Sequence, residues 1–133
     1  MTPPEGIHIN EESTSQWWID DKGIICSVSK KNGIDITREE MISQFNKFKK
    51  ENQNKKVCIL FDISNAQPGK KMTKETEGLM EELGTMISAM AIISSSALGR
   101  LLANLFFNLK SPSYPMKVFN NETDARNWLV QYL

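Results

Sequence analysis

The sequence predicts an α/β fold: a mixed, mainly parallel sheet with an N-terminal antiparallel hairpin and about four flanking helices. Three observations carry this. The apolar runs "SQWWID" and "GIICSV" flank Asp21-Lys22-Gly23, a turn in which Gly23 can take positive φ. Later β-type runs alternate with segments of helical periodicity, the signature of crossovers onto parallel strands. No linker or repeat divides the 133 residues, so one domain over 1–133 is expected, large enough to bury about 65 to 70% of its unfolded surface.

In chain order, "GIHIN" reads as a short strand and the two runs around the turn as a hairpin. Trp17 and Trp18 are neighbours on a strand and must point to opposite faces, so either one is exposed or both faces are covered. Thr37 and Glu40 form a capping box, and Met41, Phe45 and Phe48 follow on one stripe, predicting a helix over about 38–51. "KVCILFDIS" has the continuous apolar character of a strand covered on both faces, ending in Asp62 and Ser64. Thr73 is placed to cap a helix carrying Leu79 and Leu83 and stopped by Gly84. "ISAMAII" is a second buried strand. The serines Ser94 to Ser96 can cap the next helix, whose Leu98, Leu101, Leu102, Leu105 and Leu109 form a stripe expected to pack on the sheet, with Arg100, Asn104 and Asn108 opposite. "MKVF" is a last strand, and Asn121 with Asp124 opens a final helix that aligns Ala125, Trp128, Leu129 and Tyr132.

Composition removes several function classes. Sixteen basic and sixteen acidic residues cancel, so the field that draws proteins to nucleic acid or anionic membrane is missing. "MTPPEGIHINEES" has no secretory signal pattern, and a cytoplasmic protein is expected. Met86 to Leu109 is long enough to span a bilayer, but Arg100 near its middle would cost roughly 2.5 to 3.5 kcal/mol on insertion scales, and the apolar period changes at Ser94. A strand feeding a helix is expected there, with no membrane span. Cys26 and Cys58 lie in apolar runs and read as buried free thiols.

Chemistry-bearing patterns are few. His8 is the one histidine, and neither a metal-ligand cluster nor a nucleophile elbow is present, so no catalytic residue, metal or cofactor is assigned. The loop from Ser64 to Lys74 follows a central strand and precedes a helix N-terminus, where open α/β sheets bind ligands and where free N–H groups and lysines favour anions. "GKKMT" within it lacks the P-loop spacing. A solvated polar loop is the plain alternative. Phe106 and Phe107 carry the apolar side of the third helix toward Arg100 and Asn104, a composition found at interfaces, so a homodimer through this helix stands beside simple core packing.

In their order, "WWIDDKGIICSV", "LFDISNAQPGKKMTKE", "AMAIISSSALGRLLANLFF" and "YPMKVFNNETDARNWL" resemble the Bacteroidetes-type group of small uncharacterised proteins with a STAS-like fold, the fold of the sporulation anti-sigma-factor antagonists. The resemblance spans nearly the whole chain. It implies a mixed sheet flanked by helices and a non-catalytic regulatory or protein-binding module, often switched by phosphorylation of a Ser or Thr where the helix after the central strand begins. The antagonists carry an Asp-Ser-Ser-Gly-like motif there. This chain instead follows Asp62 with "ISNAQPGKKMTKE", in which Thr73 and Thr76 are the hydroxyls at the helix start, beside Lys70, Lys71 and Lys74. Phosphate acceptor and plain N-cap both stay open for Thr73. Asp62, Ser64, Lys70, Lys71, Thr73, Lys74 and Thr76 are thus the expected partner- or anion-binding loop, and Arg100, Asn104, Phe106 and Phe107 the expected interface. Binding of a small apolar ligand or lipid in a CRAL-TRIO-like manner is the alternative, and an enzyme ranks last.

Overall fold

A computed structural model of the protein describes residues 1, 15–29, 42–43, 46–47, 50, 53, 55–65, 84–109 and 113–133, with backbone alone at 15, 102 and 105–109. Five strands form one sheet in the order β1-β2-β3-β4-β5: β1 Ser15–Ile19, β2 Ile25–Ser29, β3 Val57–Asp62, β4 Ile87–Ile93 and β5 Met116–Phe119. β1 and β2 are antiparallel, with Trp18 opposite Cys26, and Gly23 closes their turn at φ 79°. Asp20 completes the turn, its Oδ1 accepting the backbone N–H of Lys22 and of Ile24, each at 2.9 Å. All later pairs are parallel.

Two of the four expected helices have full ranges among the described residues: α1 Ala97–Leu109 and α2 Glu122–Leu129, the latter running into a 3-10 turn at Val130–Tyr132. Residues 42, 43, 46, 47 and 50 of the expected first helix are helical. The strand expected at "GIHIN" and the helix after Thr73 lie outside the described residues.

The pleat divides the core. Trp18, Cys26, Val28, Cys58, Leu60, Ala89, Ala91 and Ile93 point to one face, which α2 covers with fully buried Ala125 and Leu129, while Trp128 and Tyr132 extend the contact toward Phe119. Asn121 caps α2 by accepting the N–H of Asp124 at 2.8 Å. Ile25, Val57, Ile59 and Ile87 point to the opposite face, joined by Tyr114 and by Ile42 from the first helical segment. Both tryptophan faces are therefore covered: Trp18 is buried beside α2's cluster, and Trp17 stacks on Phe61 with ring centroids 5.9 Å apart. Trp17 and Phe61 flank Ser27, which faces them across the β1–β2 and β2–β3 pairings and is fully buried. A register shift at Val57/Cys58 sets Ile87 opposite Val57 and Ala89 opposite Cys58, so Ser88 is an extra residue and alternation in β4 restarts at Ala89.

One packing expectation fails at the two stripe leucines whose side chains are described. Leu98 and Leu101 are 59% and 56% exposed, whereas Gly99, Arg100 and Ala103 are half-buried. At its N-terminal end α1 thus turns Gly99 and Ala103 inward and Leu98 and Leu101 outward. Gly99 lies close to the end of β4: a Cβ there would fall 2.5 Å from Ser94 Oγ, so a larger residue would require that hydroxyl to move.

Candidate functional site

The carboxyl ends of β3, β4 and β5 converge with the N-terminus of α1, and their polar groups are laced together. Asp62 ends β3 on the α2-covered face. Its Oδ1 accepts the Ser64 N–H at 2.9 Å, the local turn bond that aspartate makes after a strand, and its Oδ2 lies 3.3 Å from the Met1 amino group. Ser64 Oγ accepts the Ser95 N–H at 3.0 Å and so ties the loop after β3 to the loop after β4. The backbone continues the ladder beyond the strands, with Ile63 N donating to Ile93 O and Ser94 N to Phe119 O.

Ser94 is buried, and its hydroxyl donates to Ser96 O at 3.3 Å. Ser96 is the N-cap of α1, its Oγ accepting the Gly99 N–H at 3.2 Å. Arg100 folds back over this turn, and its Nη1 donates to Ser94 O at 2.9 Å. The positive end of the helix and one guanidinium therefore sit beside exposed Ser95, with the Asp62 carboxylate one strand away. Among the described residues the Ser94 hydroxyl donates to the Ser96 carbonyl and the Ser64 hydroxyl accepts from the Ser95 N–H. No group of three or more His, Cys, Asp and Glu that could hold a metal occurs among the described residues.

Of the expected loop, Asp62 and Ser64 stand at this edge; Lys70, Lys71, Thr73, Lys74 and Thr76 lie outside the described residues. Of the expected interface, Arg100 is half-buried on Ser94 rather than facing outward opposite a packed leucine stripe, and Asn104 is exposed. Phe106 and Phe107 are helical in backbone, with side chains outside the description. Sequence reasoning missed Ser95 as the partner of Ser64. The run "SSSALG" held the signal, since a glycine in the first turn of a helical pattern marks close backbone approach.

Sequence reasoning also missed a second cluster, at the amino ends of the parallel strands. Arg126 on α2 reaches Asp20 Oδ2 at 2.8 Å and Glu122 Oε1 at 3.0 Å, and its Nη2 lies 3.7 Å from Cys26 Sγ. The hairpin turn is thereby tied to a helix more than a hundred residues away in sequence. Burial first, and then the Asp20 carboxylate, push the Cys26 thiol from 9.0 up to about 12, with Arg126 opposing; burial raises Cys58 as well. Both cysteines are free, and neither has the character of a reactive thiolate.

The profile of DUF7793, a domain of unknown function, matches residues 17–133. The chain belongs to the DUF7793 family. No curated protein matches it. Among solved structures, this DUF7793 chain is similar to an uncharacterised protein of the DUF3478 family with a SpoIIAA-like fold from Shewanella loihica PV-4. The TM-score is 0.62 at 15% identity, over 93% of this chain and 99% of that one. That likeness shows the fold, which is SpoIIAA-like and so STAS-like. A protein of unknown function from Arthrobacter sp. FB24 aligns over 86% of this chain and 97% of its own at 22% identity, but its TM-score of 0.31 carries no argument. Among the described residues, no helix is long and apolar enough to cross a membrane.

Proposed function

We propose that this DUF7793 protein is a non-catalytic, cytoplasmic binding module of STAS-like type, receiving a protein partner on the carboxyl edge formed by Asp62, Ser64, Ser95 and the first turn of α1. The observation that carries the reading is the strand order. Open α/β sheets bind small ligands in the crevice where the order of parallel strands reverses. Here β2, β3, β4 and β5 are sequential neighbours with no reversal, so successive crossovers advance in one direction. No switch-point crevice is opened between them. The Ser64 to Ser95 bond and the Arg100 to Ser94 bond further close this edge into a surface. Of the α1 leucines, Leu98 and Leu101 face outward, an orientation that supports a surface for a partner at this end of the helix.

The test is affinity recovery from the native cell with three baits: wild type, Ser95→Arg on the edge, and Asp21→Lys at the exposed hairpin tip at the other end of the sheet. The expected result is a protein held by wild type and Asp21→Lys and lost by Ser95→Arg. A partner retained by Ser95→Arg, or a lipid recovered in place of a protein, overturns the reading. Phosphorylation of Thr73 or Thr76 would add about 1.5 to 2 negative charges close to this edge in sequence, and intact-mass measurement of the native protein reads it directly.

A further inference from the structure

We draw no further inference here: the strongest candidate, the outward apolar pair Leu98 and Leu101 on the first turns of α1, is an unpartnered helix face, and nothing in the structure shows what covers it.

Discussion

Replacing Gly99 by alanine tests how α1 is seated at the carboxyl edge of the sheet. Alanine is favoured over glycine within a helix by about 0.8 to 1 kcal/mol, so a solvent-facing site would gain stability from the change. At Gly99 the new Cβ would meet Ser94 Oγ at 2.5 Å, while its next neighbours, Ser96 Cβ and Ser94 Cβ, lie at 3.5 and 3.6 Å, ordinary contact distances. The hydroxyl can move aside only by abandoning Ser96 O, and Ser94 is 2% exposed, so no water waits to replace that bond. Overpacking of this kind costs about 1 to 3 kcal/mol, which exceeds or cancels the helical gain. Gly99→Ala in the wild type should therefore be neutral to destabilising by about 2 kcal/mol.

Ser94→Ala removes the obstructing atom and leaves Ser96 O satisfied by the Arg100 N–H at 3.0 Å. In that background the same Gly99→Ala should stabilise by up to about 1 kcal/mol, a reversal of sign with a coupling of about 1 to 3 kcal/mol. Urea unfolding of the four proteins, followed by tryptophan fluorescence and far-ultraviolet circular dichroism, measures the cycle. Equal effects of Gly99→Ala in both backgrounds, or stabilisation in the wild type, would refute the inward seating of Gly99.

Three further outcomes follow from the core and the Arg126 cluster. Asp20→Ala should lower stability by about 2 to 4 kcal/mol, because two turn N–H groups and Arg126 lose their acceptor together. Asp20→Asn, which keeps an acceptor for the turn, should lose only about 1 kcal/mol, since Arg126 is 31% exposed and its pair is partly screened; equal urea midpoints for the two variants would contradict this division. Ser27 Oγ is buried without a partner among the described residues, so Ser27→Ala should leave the thermal midpoint unchanged or raise it, by up to about 1 kcal/mol in stability, and a loss greater than that would reveal a hidden partner. Cys26, raised from 9.0 to about 12, and Tyr114, raised by burial from 10.0 to about 12, are both held neutral by the fold. Their contribution is complete below the unfolded values and is lost as the pH climbs from 9 toward 12, so urea midpoints should fall over that window and fall less steeply in Cys26→Ala; a midpoint flat to pH 11 would oppose it.

The elements were legible where local pattern and tertiary demand coincide. Val57–Asp62 and Ile87–Ile93 read as strands because both of their faces are buried, which makes the apolar run continuous. The hairpin was legible from Gly23, and α2 from its Asn121 cap and its stripe. The direction of α1 was not. A helical period reports that like residues share a side, not which side meets the protein, and here Gly99 is half-buried while Leu98 and Leu101 are exposed. The Ser88 bulge was equally hidden, since "ISAMAII" is apolar on both sides of it and no alternation is visible to break. The tie between Asp20 and Arg126 joins groups 106 residues apart, a separation at which local pattern carries no information.

The same limit bears on the candidate edge. From the sequence, the loop after Asp62 looked like a ligand site because it follows a central strand, and that placement holds for Asp62 and Ser64. What the sequence could not supply was strand order, and strand order decides whether such a loop borders a crevice or a surface. With β3 and β4 adjacent and parallel, the residues that follow their carboxyl ends leave the sheet side by side. Ser64 and Ser95 then come within hydrogen-bonding distance because their strands are adjacent, and their bond draws the two loops together. A small ligand entering between them would have to break that bond and compete for Asp62, which is buried and already holds the Ser64 N–H and the Met1 amino group. A macromolecular partner need break neither, since exposed Ser95 and the first turn of α1 are presented with the lacing intact. The proposed partner would make contact across the top of this edge, which is why Ser95→Arg, a change to the presented surface that leaves the backbone N–H bond in place, is the variant that discriminates.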